Sequence, residues 1–294
     1  MTASNTDTHA VPGLRALAAR RPLTVFLVLV LGIGWPILAL PGLAHNGLIP
    51  GGDLPEEPFA LATVLLVLLP AALWVTAATD GRAGVRALLR RTVQWRFGPG
   101  WYAAILLGLP VIATALGLLT GGSLREVDWP AVLFNYAVLQ VLPAVVIINL
   151  WEETAWAGFL QTRLEQRHGL IVAAMLTAVP FALVHVPLLF AADEPVLAAA
   201  GVLLLVAVLH RLLFGLVLRG TAGSVLAVGL LHATFNATNN PEDGLLSRLL
   251  AEVDTGWLTP AAAVVLTALL AVVVLRRRST AAAAPTRATA PERG

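Results

Sequence analysis

Eight stretches of this chain are long and apolar enough to cross a bilayer, and that limits what it can fold into. In hydrocarbon every backbone polar group has to be satisfied within the segment, so a spanning stretch becomes a helix or part of a closed barrel. A helix needs about 20 mostly apolar residues. Such runs lie near 23–43, 59–79, 101–120, 131–151, 169–190, 197–218, 222–239 and 259–275. The fourth runs on past Glu152 and Glu153 toward Leu160. The seventh is the weakest, being short and carrying His232 and Asn236. Only 12% of the 294 residues are charged, about half the share in soluble domains. The expected fold is all-α, a polytopic transmembrane helix bundle of about eight spans. Its parts are an N-terminal segment over 1–22, a transmembrane helical domain over 23–278, and a tail over 279–294. The tail is rich in Ala, Pro, Thr and Arg and reads as disordered.

The connecting charges orient this layout. Arg15, Arg20 and Arg21 precede the first span. Arg82 to Arg96 follow the second, Arg163 and Arg167 the fourth, Arg219 the sixth, and Arg276 to Arg278 the eighth. The alternate loops hold Asp53, Glu56, Glu57, Glu126, Asp128, Asp193, Glu194, Glu242, Asp243, Glu252 and Asp254; only Arg125 and Arg248 break the bias. The positive-inside rule then puts both termini in the cytoplasm. The expected location is a cell membrane crossed several times, a bacterial plasma membrane. Leu23 to Leu43 is long for a signal-peptide core and no small-residue cleavage site follows it, so we read it as a retained helix. The segment Gly81 to Gly100 reads either as an amphipathic helix on the membrane surface or as a basic loop between spans. With no cysteine, disulfide and thiolate chemistry are excluded. No basic cluster with interleaved aromatics points to nucleic acid.

Against this hydrocarbon, a few polar groups stand out. Glu152 and Glu153 are adjacent in LPAVVIINLWEETAWAGFL (Leu142 to Leu160). One acidic residue at a helix centre costs about 2.5–3.5 kcal/mol on insertion scales, so an intramembrane pair marks function. Neighbouring helix positions point about 100° apart, so one glutamate faces the site and the other bonds an adjacent helix. His185 lies in FALVHVP, and His232 and Asn236 lie in LLHATFN. The latter are four apart and share a helix face. Each alone fits an ordinary interhelical hydrogen bond; together they describe a site assembled across a bundle. His210, beside Arg211 in the sixth span, reads as structural or interfacial.

Two chemistries fit these residues. Glu152, His185 and His232 could hold a zinc ion with an open position for water, although H-E-x-x-H is absent. Alternatively no cofactor is required: a glutamate and one histidine activate water, while the other histidine and the asparagine donate hydrogen bonds to an oxyanion. Asparagine is a poor zinc ligand and a good oxyanion donor, which favours the metal-free form.

At these positions the sequence resembles the CPBP family of intramembrane proteases, also called the Abi or CAAX-protease family. The family pattern is E-E-x-x-x-R, then F-x-x-x-H, then H-x-x-x-N or H-x-x-x-D. Here it reads Glu152-Glu153-Thr154-Ala155-Trp156-Ala157, Phe181 to His185, and His232 to Asn236. The resemblance covers about 130–240, with looser echoes in WRFGPGWY and in Thr221 to Ser224. It implies that Glu152 activates water with help from His185, that His232 and Asn236 stabilise the oxyanion, and that Glu153 is a supporting carboxylate. It also implies an endopeptidase acting on a membrane-embedded or lipidated peptide. The chain departs from the pattern at Ala157, where the family has arginine. That departure motivates one alternative, an inactive scaffold or bacteriocin-immunity protein. A proton-coupled transporter is the other, since intramembrane Glu and His also relay protons.

Overall fold

The computed structural model describes residues 13–191 and 195–282, with side chains as far as Arg276. The helices are α1 (Leu14–Arg20), α2 (Pro22–His45), α3 (Glu57–Thr79), α4 (Gly81–Thr92), α5 (Pro99–Leu119), α6 (129–168), α7 (170–185), α8 (Val196–Gly220), α9 (Val225–Asn239), α10 (Leu245–Leu249) and α11 (Leu258–Ala282). The only strands among the described residues, β1 (Ser123–Leu124) and β2 (Leu250–Ala251), pair antiparallel. The chain is therefore an all-α bundle.

Among the described residues, six helical segments have the length and hydropathy to cross a membrane. The sequence suggested eight spans, and the difference has two sources. The expected fourth and fifth spans are present as α6 and α7, which follow each other without an intervening loop in the segment Trp129–Ala191 and so count as one there. The segment is broken at Gly169, where φ is 76° and ψ is 175°; glycine reaches this region without a Cβ penalty, which lets α7 fold back. The expected seventh span is α9, a helix of only 15 residues. The basic segment after α3 is helical only to Thr92. On it Arg82, Arg86 and Arg90 are exposed, and so are Leu89, Val93 and Trp95 beyond and between them. The segment expected over 1–22 contains α1. In the expected tail, α11 continues to Ala282; 283–294 lie outside the described residues, as do 1–12 and 192–194.

Two apolar clusters hold the bundle. One gathers α5, the first half of α6, the end of α8, α9 and α11 around Leu109, Phe214, Leu231 and Leu258. The other gathers α2, α3, the second half of α6 and α7 around Phe26, Val75, Trp156 and Phe159. The glutamates lie at the seam: Leu150 belongs to the first cluster and Ala155 to the second. There α6 carries π-helical turns at Val145–Asn149 and Thr154–Gln161, on either side of Glu152 and Glu153. Such turns change the facing of successive side chains and recur at functional sites.

The two ends of the bundle differ. At one, Arg91 donates to the carbonyls of Gly223 (2.9 Å) and Gly158 (3.3 Å) and to Thr162 Oγ1 (3.0 Å). Arg163 pairs with Asp80 there, and Arg219 with Glu165. Gln94 donates to Thr221 O and accepts from Ser224 Oγ, so the WRFGPGWY region and the Thr221–Ser224 turn, far apart in sequence, form one corner. The opposite end is tied by Arg125 on the Leu250 carbonyl, Ser123 on Glu252, and Arg248 with Asp243.

Candidate active site

Glu153 is wholly buried, and its carboxylate accepts three hydrogen bonds. Arg211 of α8 grips it with both terminal nitrogens, Nη1 to Oε2 at 2.9 Å and Nη2 to Oε1 at 2.7 Å. His232 Nδ1 lies 2.9 Å from the same Oε1. A carboxylate held by a guanidinium can only accept, so His232 donates through Nδ1 and its Nε2 is left for other work. Arg211 is itself fully buried, with its guanidinium carbon 4.3 Å from the Phe181 ring centroid and 4.9 Å from that of Phe214. Aromatic faces on a planar cation stabilise it by about 0.5–2 kcal/mol.

Glu152 faces another way, as the 100° step requires. Its Oε1 is 3.9 Å from His185 Nε2, and its Oε2 is 3.7 Å from His232 Nδ1. Both separations exceed direct hydrogen-bond length. His185 donates its Nδ1–H to the Phe181 carbonyl at 2.7 Å, one turn back on α7, so its Nε2 is also free. Phe181 thus seats two residues at once, its carbonyl fixing His185 and its ring covering Arg211. A cavity of about 60 Å³ lies beside Glu152 and His185, lined also by Thr63, Val64, Trp156 and Leu188. That is room for water. The Thr63 hydroxyl and the Trp156 indole N–H are buried without a hydrogen-bond partner among the described residues. A cavity of about 940 Å³ between α2 and the 186–191 turn is lined by apolar residues and Asn46, and contains none of these groups.

Helix α9 comes close enough to present His232 because of Gly229. A Cβ there would sit 3.1 Å from Leu150 Cα, closer than most Cβ contacts, so glycine favours this approach of the two backbones. His232 is buried, at 6% exposure. Asn236, one turn on, is exposed. The structure therefore brings together Glu152, Glu153, His185 and His232, and leaves Asn236 at the rim of the same helix face.

The expectations leaned toward a structural role for His210 and gave Arg211 none of its own. His210 is buried, stacked on Phe214 at 5.2 Å and 6.1 Å from His232. Arg211 is the residue that sequence reasoning missed. The signal was present, since a guanidinium inside an apolar run is as costly as a carboxylate.

The zinc alternative asks for three donors around one point. No group of three His, Asp or Glu side chains among the described residues is arranged to hold a metal ion. The residues present do not fit that ligand set.

Comparison with known proteins bears on this geometry. No curated protein matches the chain. Residues 134–238 match the family model described as type II CAAX prenyl endopeptidase Rce1-like. That span contains Glu152, Glu153, His185, Arg211, His232 and Asn236, the whole polar constellation. Over that segment, about a third of the chain, the sequence is similar to the CAAX-protease family of membrane endopeptidases.

Proposed function

We propose that the protein is an intramembrane endopeptidase in which Glu152 activates water against a peptide bond of a membrane-anchored or lipidated substrate. The observation that carries this reading is the Glu152 carboxylate set between His185 Nε2 at 3.9 Å and His232 Nδ1 at 3.7 Å, each residue from a different helix. Gaps of this size between polar groups suit a bridging water, and the adjoining cavity has space for one.

The chemistry follows from the groups left free. Water, held by Glu152 and His185, attacks the carbonyl carbon of the scissile bond as Glu152 takes its proton. The carbonyl π electrons move onto oxygen, and the oxyanion accepts hydrogen bonds from the His232 imidazolium through Nε2–H and from the Asn236 amide. Glu153 stabilises that imidazolium through Nδ1, as a buried aspartate does in hydrolase triads. Collapse of the intermediate breaks the C–N bond, and protonated Glu152 returns its proton to the leaving amine. The reading places the enzyme in a bacterial plasma membrane, with the bilayer and a lipidated peptide as its partners.

The test is cleavage of membrane-anchored and prenylated peptides by the purified full chain in detergent. Wild type cuts one or more of them, and Glu152→Gln cuts none. Cleavage persisting unchanged in Glu152→Gln would refute Glu152 as the base. Phenanthroline sensitivity of the wild-type cleavage would refute the metal-free form of the reaction.

A further inference from the structure

We infer that Arg211 is a positioning residue of the active site, acting through Glu153 on His232, and that Ala157 is the space that admits it; the inference rests on the hydrolytic reading above. Three observations converge. The bidentate grip on Glu153 is closed from α8, not from the glutamates' own helix. Glu153, Ala157 and Gln161 are spaced four apart on one face of α6, and the outer two both engage residue 211: Glu153 takes the guanidinium, and Gln161 Nε2 donates to the Arg211 carbonyl at 2.8 Å. Ala157, fully buried, falls between them. Finally, Gly215, one turn after Arg211, brings α8 against that face; a Cβ there would lie 2.7 Å from Gln161 Nε2.

The physical consequence is a swap of geometry at constant charge. An arginine at 157 would reach Glu153 as an i, i+4 partner along one helix. It would also lie on the face that residue 211 occupies, placing two guanidinium groups beside one carboxylate. The chain instead has the small residue on α6 and the cation on α8. Glu153 remains an anion with fixed orientation, and His232 keeps its Nδ1 donor bond and therefore the aim of its Nε2. The departure at Ala157 is in this way not a loss of the site's charge balance. It removes the reason for reading the chain as an inactive scaffold.

The experiment uses the full chain in detergent with a peptide that wild type cleaves and Glu152→Gln does not. Arg211→Met should lower kcat by about 10–100-fold, the range seen when a partner behind a reactive group is removed, with KM changed less than about threefold. Arg211→Lys, which keeps the charge and loses the fork, should fall between. Arg211→Met/Ala157→Arg should recover most of the lost kcat. Nitrogen NMR of the labelled histidines reads the His232 Nδ1–H bond to Glu153 independently of turnover; the bond should be lost in Arg211→Met and return in the double variant. Arg211→Met with wild-type kcat, while Glu152→Gln is dead, overturns the inference and leaves the hydrolase reading standing. If wild type cleaves nothing, the hydrolase reading fails, and an unchanged His232 signal in Arg211→Met then overturns the inference separately. If Arg211→Met does not fold, Arg211→Lys with full kcat overturns it, and reduced kcat supports it.

Discussion

Glu153→Gln and Glu152→Gln change the same atoms in adjacent residues, yet the structure predicts opposite outcomes for folding. Glu153 is fully buried and accepts hydrogen bonds of 2.7, 2.9 and 2.9 Å from Arg211 and His232. A glutamine keeps the shape and removes the charge, so Arg211 is left as an uncompensated buried cation. Breaking a buried pair on one side costs about 3–5 kcal/mol. At roughly 2–4 °C per kcal/mol for a chain of this size class, the midpoint should fall by about 6–20 °C. Glu152 makes no direct hydrogen bond at its 3.7 and 3.9 Å separations from the imidazoles, so Glu152→Gln should change stability by less than about 1 kcal/mol. The assay is thermal or denaturant unfolding of both purified variants in one detergent, followed by near-UV dichroism of the tryptophans. A Glu153→Gln protein as stable as wild type would refute the role given to the ion pair. A Glu152→Gln protein as destabilised as Glu153→Gln would refute the division of labour between the two acids.

Three further outcomes can be measured. Gly229→Ala puts a Cβ at 3.1 Å from Leu150 Cα, and relieving that contact should push α9 away from α6, costing about 1–3 kcal/mol and more in kcat than in KM; an unaffected variant would show that the approach is not tight. Thr63→Val deletes a buried, unpartnered hydroxyl beside the 60 Å³ cavity; if that hydroxyl binds the attacking water, kcat falls by about tenfold, the equivalent of one hydrogen bond near 1.4 kcal/mol, and Thr63→Ser restores it. Arg91→Leu removes three hydrogen bonds linking Gly158, Thr162 and Gly223 and should lower stability by about 2–4 kcal/mol, taking roughly 1 kcal/mol for each bond.

The parts of the site legible in the sequence are those whose presence in hydrocarbon is expensive. Glu152, Glu153, His185 and His232 each interrupt an apolar run, and each converges on the seam between the two clusters. Arg211 interrupts one too, but a sequence does not show which carboxylate a guanidinium meets across a bundle; that depended on Gly215 and Ala157, which only the packing reveals as linked. Thr63 and Trp156 left no mark, because threonine and tryptophan are ordinary in membrane helices. Asn236 was expected on the face that carries His232 and is exposed one turn beyond it, since helical spacing gives a shared face and not a shared depth. Of the fold, the apolar runs were plain. The two helices of Trp129–Ala191 were legible as separate spans; the turn without a loop between them at Gly169 was not, because hydropathy carries no record of one glycine's backbone angles.

On the hydrolytic reading, the brevity of α9 shapes how a substrate would meet Glu152. Fifteen residues rise about 22 Å, against a hydrocarbon core of about 30 Å. Eleven of its fifteen residues are buried, so protein and not lipid encloses most of its length. The chain beyond it, Asn239, Asn240, Glu242 and Asp243, is polar, and irregular backbone within a bilayer is tolerated only where protein or water covers it. On the hydrolytic reading proposed above, a substrate segment would unwind at this polar end of α9, beside Asn236, without stranding its amides in oil.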